Sequence, residues 1–412
     1  RQEEIEGTIL ESSEPEIILI KLKSGYNIGI KKENIVNVEV LKQEKKKAKV
    51  KEIKQDKKLP QVDLIITGGT ISSKLDYETG GVKWLTNPEE LLAFYPELTE
   101  IVQVRKVHVP FMKASENMSF SDWKKIAEVC LESLNNKDVE GVIITHGTDF
   151  LHYTASALSF FLGKLNKPVV LTYSQRSSDR ASSDARLNLI CSAHAAISDI
   201  AEVVLVGHGS INDNFCYVMR GSKVKKSHSS QRDAFQSINI KPIAKVFSDG
   251  KIEKLISYNV RNNEKKIKLD AVYDDKVALI KFYPGMNPEM IDFLASKYKG
   301  IVIEASGLGH LAIDEAEKNL LPSLKKAINN GLIVCAACQT IFGRLDPLVY
   351  SPGRKLAKIG IIFLEDMLSE TAYVKLAYVL GKTKDPEKIR KLMLTNMVGE
   401  LNNRLQPQIF SC

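Results

Sequence analysis

The sequence has no apolar run approaching the roughly 18 to 20 residues needed to span a bilayer. That excludes a helical membrane protein. Its charged start, "RQEEIEG", offers no apolar signal region, so the expectation is a cytoplasmic protein. Cysteine is scarce: Cys130, Cys191, Cys216, Cys335, Cys338 and Cys412 stand without the spacing of a disulfide framework, as reduced thiols do. "CAAC" at 335–338 is a single pair at the end of the strand-like "LIVCAAC", and a structural zinc site needs a second pair. Both cysteines therefore read as small core residues, and no metal is expected in this chain. There is no internal repeat, no low-complexity tract, no nucleophile elbow of the form G-x-C-x-G and no glycine-serine-rich amidase signature. Cysteine-triad and Ser-Ser-Lys hydrolases are thereby disfavoured. The Gly-Lys-Thr of "VLGKTKD" at 379–385 lacks the first glycine of a phosphate loop, because Leu376 stands at that position. Gly381 reads instead as a helix C-cap.

What is present is an ordinary globular composition. With 412 residues, 44% hydrophobic and 26% charged, the chain can bury a sizeable core and divides into two or three domains. The net charge of +8 is unevenly spread: residues 41–58 hold nine lysines against three acids, which suits a solvated linker or a phosphate-attracting patch. Before that stretch, "EGTIL", "EIILIKLKSG", "YNIGI" and "IVNVEVL" alternate apolar and polar positions, with Gly25 and Asn27 where a hairpin turns. A small β-barrel is expected over 1–45, then a lysine-rich linker over 46–61.

From residue 62 the pattern changes to strands apolar on both faces: "VDLIITGG", "GVIITHG", "PVVLTYS", "EVVLVGHG", "VALIKFYPG", "GIVIEASG" and "GLIVCAAC". Such strands belong in parallel sheets covered by helices. "SFSDWKKIAEVCLESLNN" supplies one crossover helix, with Trp123, Ile126, Ala127, Cys130, Leu131 and Leu134 at helical spacing and Ser121 as its N-cap. The polar stretch near 236–275 marks a boundary, giving one α/β domain over 62–245 and a second over 246–412.

In open parallel sheets ligands bind beyond the carboxyl ends of the strands. Two strand ends here finish in small polar residues, "TGGT" (Thr67 to Thr70) and "THGTD" (Thr145 to Asp149). One such end is weak evidence, since glycine-threonine turns also close strands; two, each with a hydroxyl after the glycine, point to a nucleophile site. A threonine hydroxyl must lose its proton to attack. Asp149 can orient or polarise a partner, and a buried lysine can act as base. "RGSKVKKSHSSQRDAF" offers Lys223, Lys225 and Lys226, among which periodicity does not choose. His146 reads as a local packing or hydrogen-bonding residue.

"LIITGGTIS", "VIITHGTD", "MKASENM" and "KKSHSSQRDAFQSIN" closely resemble, in order and spacing, the motifs of the bacterial-type L-asparaginases. The resemblance covers roughly residues 62–400. It implies Thr70 and Thr148 as catalytic threonines, Asp149 beside the second, and Lys226 as the lysine of the site. It further implies an acyl-enzyme formed on threonine, release of ammonia, and hydrolysis by water. Where many asparaginases carry Ser-Gln for the substrate's α-carboxylate and α-amino group, this chain has Ser115-Glu116, a change that accompanies glutamine rather than asparagine. The family's tyrosine in the loop after TGGT lacks a counterpart at the expected site, where "ETGGVKW" stands, and Tyr77 comes earlier. His310 in "GLGH" stands where asparagine is common.

With the extra β module, "SENM", "SQRSSDRASSDARLNL" and "HSSQRDAF", the whole chain resembles the D-type subunits of archaeal glutamyl-tRNA(Gln) amidotransferases. This resemblance implies a glutaminase that passes ammonia to an E subunit. That partner would bind misacylated Glu-tRNA(Gln) and use ATP and magnesium, with two copies of each chain in a heterotetramer. This chain would itself need no cofactor. The alternative is a free-standing L-asparaginase or glutaminase acting on free amino-acid amides.

Overall fold

The computed structural model describes residues 3–10, 12, 14–24, 26–41, 56, 58–75, 82–84, 95–178, 180 and 182–405, with backbone alone for 72–75 and 82–84. Most of the expected lysine-rich linker, residues 46–55 and 57, therefore lies outside the described residues, as do Gly25 and Tyr77.

The N-terminal module contains β1 (Gly7–Leu10), β2 (Ile17–Leu22) and β3 (Asn27–Lys31), an antiparallel meander in the order β1-β2-β3. Among the described residues it is an open three-stranded sheet, which corrects the expectation of a barrel. "IVNVEVL" forms no strand: Val36, Val38 and Val40 are exposed, with no neighbouring strand among the described residues on which to bury an apolar face. The module rests on the first large domain at Tyr26, whose hydroxyl hydrogen-bonds Ser182 Oγ and whose ring lies 5.7 Å from the Arg180 guanidinium.

The first domain is an eight-stranded sheet built from β4 (Gln61–Ile66), β7 (Gln103–His108), β8 (Val139–Thr145), β9 (Val169–Thr172), β10 (Val203–His208), β11 (Cys216–Arg220), β14 (Ala244–Val246) and β15 (Ile252–Lys254). Between these lie two short ribbons, β5 (Ser73–Leu75) with β6 (Val82–Trp84) and β12 (Val224–Lys226) with β13 (Phe235–Ser237). The large sheet runs β15-β14-β11-β10-β9-β8-β4-β7, parallel from β10 to β7 and antiparallel from β10 to β15. The expected boundary at residue 245 falls inside β14, and the sheet continues to Lys254.

Both faces of the parallel strands are covered. Ile65, Val142 and Ile144 enter one core, while Val62, Leu64, Ile66 and Ile143 enter another on the opposite face. Asp63 interrupts the apolar run of β4 without cost to the sheet, because Arg105 on β7 donates to it from Nε at 2.9 Å. The helix Phe120–Leu134 begins at Ser119 rather than Ser121: the Ser119 N–H donates to the Asp122 carboxylate at 3.0 Å, the reciprocal bond of a capping box.

The second domain has a parallel sheet of β16 (Val277–Lys281), β17 (Gly300–Ala305), β18 (Ile333–Cys338) and β19 (Ile362–Phe363). Its helix Ser369–Lys382 packs against the helix Leu151–Leu162 of the first domain, with the rings of Phe160 and Tyr378 5.7 Å apart. Every residue of Leu151–Leu162 except Tyr153 is buried, as a helix apolar on all sides must be. One core thus joins the domains, holding Leu158 and Phe161 with Val302, Val374 and Tyr378. Gly381 lies inside the last helical turn, not at its cap, which is Thr383. Its missing side chain is required by the Tyr273 backbone, whose nitrogen would lie 2.5 Å from a Cβ. Cys335 is buried in β18, where burial pushes its thiol up to about 12, and Cys338 is pushed up to about 11 in the same way.

Candidate active site

The chain leaves β4, crosses to β7 on one side, and returns past β4 to β8 on the other. The direction of winding therefore reverses at β4, and the carboxyl ends of β4 and β8 flank the crevice where such sheets bind ligands. Thr67 stitches these ends together: its N–H and its hydroxyl both donate to the Thr145 carbonyl, at 3.2 and 2.9 Å. It is thus a structural member of TGGT.

The two glycines that follow let three turns meet. Gly68 has φ +127°, and a Cβ there would lie 2.5 Å from the Lys113 carbonyl oxygen. Gly69 has φ +87°, and its Cβ would lie 2.5 Å from the Gly147 nitrogen. Only glycine tolerates that combination of conformation and approach. Thr70 and Thr148 are the residues immediately after the touching pair Gly69 and Gly147, so both threonines leave one point of backbone contact. Gly147 also abuts Ser115, whose buried Oγ accepts the Phe150 N–H at 3.2 Å. Glu116 follows in a short 3-10 turn, Ser115–Asn117, and is exposed.

The β12–β13 ribbon separates Lys225 from Lys226, and Lys223 stands just before it in the 3-10 turn Gly221–Lys223. Lys226, paired with Phe235 across the ribbon, donates from Nζ to Thr148 Oγ1 at 2.9 Å and to Asp149 Oδ1 at 2.7 Å. Its side chain is only 9% exposed, whereas that of Asp149 is 62% exposed. Lys225 points to the opposite face and pairs with Glu370 of the second domain. Lys223 is fully buried against Asp366, 2.7 Å away, and burial holds its ammonium below the ordinary value despite that partner. Lys226 alone among them touches a threonine of the two turns.

His146 is buried, with Nδ1 2.7 Å from the Gly147 carbonyl and Nε2 2.9 Å from Thr154 Oγ1. Burial lowers its pKa to about 4, so the ring is neutral and serves to tie the turn to the following helix. His310 lies in the second domain, bridged to Ser306. Sequence reasoning missed Glu370 and His152. Burial works to raise the Glu370 carboxyl, but the Lys225 ammonium and His152 outweigh it and hold it below the ordinary range. His152 Nε2 lies 3.9 Å from Glu370 Oε1, and burial lowers this ring to about 4 as well. No sequence spacing links these residues; they come from separate domains. Among the described residues no group of three or more His, Cys, Asp and Glu could hold a metal ion, and no helix is long and apolar enough to cross a membrane.

Comparison with known families agrees with this architecture. The family model described as "Asparaginase, N-terminal" matches residues 61–258, and "Glutaminase/Asparaginase C-terminal domain" matches 276–393. Among solved structures, the thermostable L-asparaginase from Thermococcus kodakarensis superposes with a TM-score of 0.75 at 30% identity, covering 84% of this chain and 100% of that one. L-asparaginase I from Vibrio cholerae gives 0.71 at 29% identity, covering 84% and 99%. Fold and site define an asparaginase-type amidohydrolase scaffold.

The N-terminal module narrows the class: residues 1–41 match "GatD N-terminal domain". The D subunit of glutamyl-tRNA(Gln) amidotransferase from Pyrococcus furiosus is 48% identical over 99% of this chain and 93% of its own length, and that from Sulfolobus acidocaldarius is 44% identical over 97% and 89%. The chain belongs to the family of glutamyl-tRNA(Gln) amidotransferase D subunits, within the asparaginases.

Proposed function

We propose that this chain hydrolyses the side-chain amide of glutamine at the crevice between β4 and β8 and delivers the ammonia to a partner subunit. The observation that carries the reading is the bond from Lys226 Nζ to Thr148 Oγ1, with Asp149 on the same nitrogen and Thr70 beside them through the Gly69–Gly147 contact. A threonine hydroxyl attacks the amide carbonyl carbon, and its proton is relayed through Lys226 Nζ to the departing amide nitrogen. The C–N bond breaks, the nitrogen takes up a proton and leaves as ammonia, and water then cleaves the acyl-threonine ester to give glutamate. Asp149 holds the lysine on the hydroxyl. Ser115 and Glu116 border the same turns and receive the substrate's α-carboxylate and α-ammonium.

The relatives carrying the N-terminal module are amidotransferase subunits, while the two asparaginase structures cover 84% of the chain. On this reading the partner is an E subunit that binds Glu-tRNA(Gln) and uses ATP and magnesium. Two copies of each chain assemble in the cytoplasm, and the D-type chain needs no cofactor of its own.

The test uses the reconstituted complex. Thr70→Ala, Thr148→Val and Lys226→Ala should each abolish glutamine-dependent transamidation of Glu-tRNA(Gln) while sparing the reaction driven by added ammonium. Equal loss with ammonium would make these residues structural. Rapid hydrolysis of free asparagine by the chain alone would favour a free-standing asparaginase.

A further inference from the structure

The strand that carries Lys226 is three residues long and pairs only with β13, outside both large sheets. Its placement over Thr148 therefore depends on side-chain anchors rather than on a wide ladder. Two of those anchors come from the second domain. Lys223 reaches Asp366, donating to its carboxylate at 2.7 Å and to its carbonyl at 2.8 Å. Lys225, adjacent to Lys226 and on the other face of the ribbon, reaches Glu370 in the first turn of the helix Ser369–Lys382.

Glu370 has a second neighbour. His152 sits one residue into the helix that follows Thr148 and Asp149, and its Nε2 lies 3.9 Å from Glu370 Oε1. One carboxylate of the second domain thus lies against both the ribbon bearing Lys226 and the helix that follows Thr148 and Asp149. Glu370 is itself held, because Ser369 Oγ donates to Glu304 Oε1 at 2.6 Å and lies 3.2 Å from Glu370 Oε2. The Lys225–Glu370 pair also forms part of the wall of a polar interdomain cavity of about 190 Å³, where Lys281, Glu304 and Gln339 face it.

Resting on the reading of Lys226 given above, we infer that Glu370 and Lys225 are positioning residues, through which the second domain sets the register of Lys226 on Thr148. The requirement is geometric. A catalytic group displaced by about 1 Å loses on the order of 100-fold in rate, whereas binding of the α-carboxylate and α-ammonium, which falls to Ser115 and Glu116, does not pass through this pair.

The test is steady-state glutamine hydrolysis by the full chain in complex with its partner subunit, comparing Glu370→Gln, Lys225→Met, Lys225→Arg and Lys226→Ala. Glu370→Gln keeps the volume and removes the charge. It should lower kcat about 10- to 100-fold with KM within about twofold. Lys225→Met should match it, and Lys225→Arg should recover most of the rate. Ammonium-driven transamidation should stay at the wild-type level in all four. A Glu370→Gln enzyme with kcat within about twofold of wild type overturns the inference. So does a loss fully accounted for by the unfolded fraction in a thermal melt, which would make the pair structural. If Lys226→Ala is inactive while Glu370→Gln is normal, only the positioning role fails. If Lys226→Ala is itself active, the reading of the site fails first.

Discussion

Replacing Gly69 by alanine tests the meeting of the two threonine turns most directly. A Cβ at this position would lie 2.5 Å from the Gly147 nitrogen, 2.7 Å from its Cα and 2.7 Å from the His146 carbonyl carbon. Ordinary carbon contacts lie at about 3.5 to 4.0 Å, so one turn must retreat by roughly 1 Å. All three opposing atoms are backbone, and Thr67 and the β4–β8 ladder pin both turns, so no side chain can swing aside. The positive φ adds about 1 to 2 kcal/mol for an L-residue, and forced overpacking about 1 to 3 kcal/mol. A separation of about 1 Å between reacting groups costs on the order of 100-fold in rate. Gly69→Ala should therefore lower the kcat for ammonia release from glutamine about 100-fold, with a destabilisation of about 2 to 5 kcal/mol in a urea melt. Gly163→Ala is the matched control: its φ is +59° but nothing lies within 4 Å of a Cβ. It should pay the conformational cost alone and retain full activity. A Gly69→Ala enzyme with wild-type kcat and a native melt would refute the closeness of the turns and, with it, the shared placement of Thr70 and Thr148.

Two further outcomes concern stability. His146 and His152 each have a folded-state pKa of about 4 against an ordinary value of 6.5, so the fold requires both rings neutral. As pH falls from about 6.5 towards 4, the unfolded chain takes up these protons and the folded chain does not, so stability drops by up to about 3 kcal/mol per ring. The urea midpoint should be highest above pH 6.5 and should decline through that window; a flat midpoint would contradict buried neutral histidines. Lys223→Met leaves Asp366 without its cation; among the described residues its carboxylate keeps the Asn402 side-chain amide and backbone N–H, at 2.7 and 3.0 Å. Removing one partner of a fully buried pair costs about 3 to 5 kcal/mol, so an unchanged midpoint would show that the pair is not holding the ribbon to the second domain.

The parallel strands and the two turns were legible in the sequence because their cause is local. A strand covered on both faces must be apolar throughout, and a chain that turns at a close approach must use glycine. β7 was not legible: it is an edge strand, and Arg105 and Lys106 break its apolar run while Arg105 neutralises Asp63 of the neighbouring strand. β14 and β15 are three residues each and pair antiparallel at the other edge, too short for a period to register. "IVNVEVL" shows the converse, a β pattern with no partner strand among the described residues. Periodicity did not choose among Lys223, Lys225 and Lys226; the family resemblance implied Lys226, and in the structure strand alternation puts Lys225 and Lys226 on opposite faces of the ribbon while Lys223 precedes it in a 3-10 turn. Glu370 was invisible because it lies in another domain, 145 residues beyond Lys225.

The helix Leu151–Leu162 is covered on one side by the helix Ser369–Lys382, which is made much later. During synthesis, which proceeds from the N-terminus, the apolar surface behind Thr148 stays uncovered and Lys225 lacks Glu370 until residue 370 and those after it have emerged. Both threonine turns are made long before that point, and the element that steadies them comes later. A nascent chain that stops short of residue 370 therefore carries both threonine turns without the carboxylate that braces Lys225.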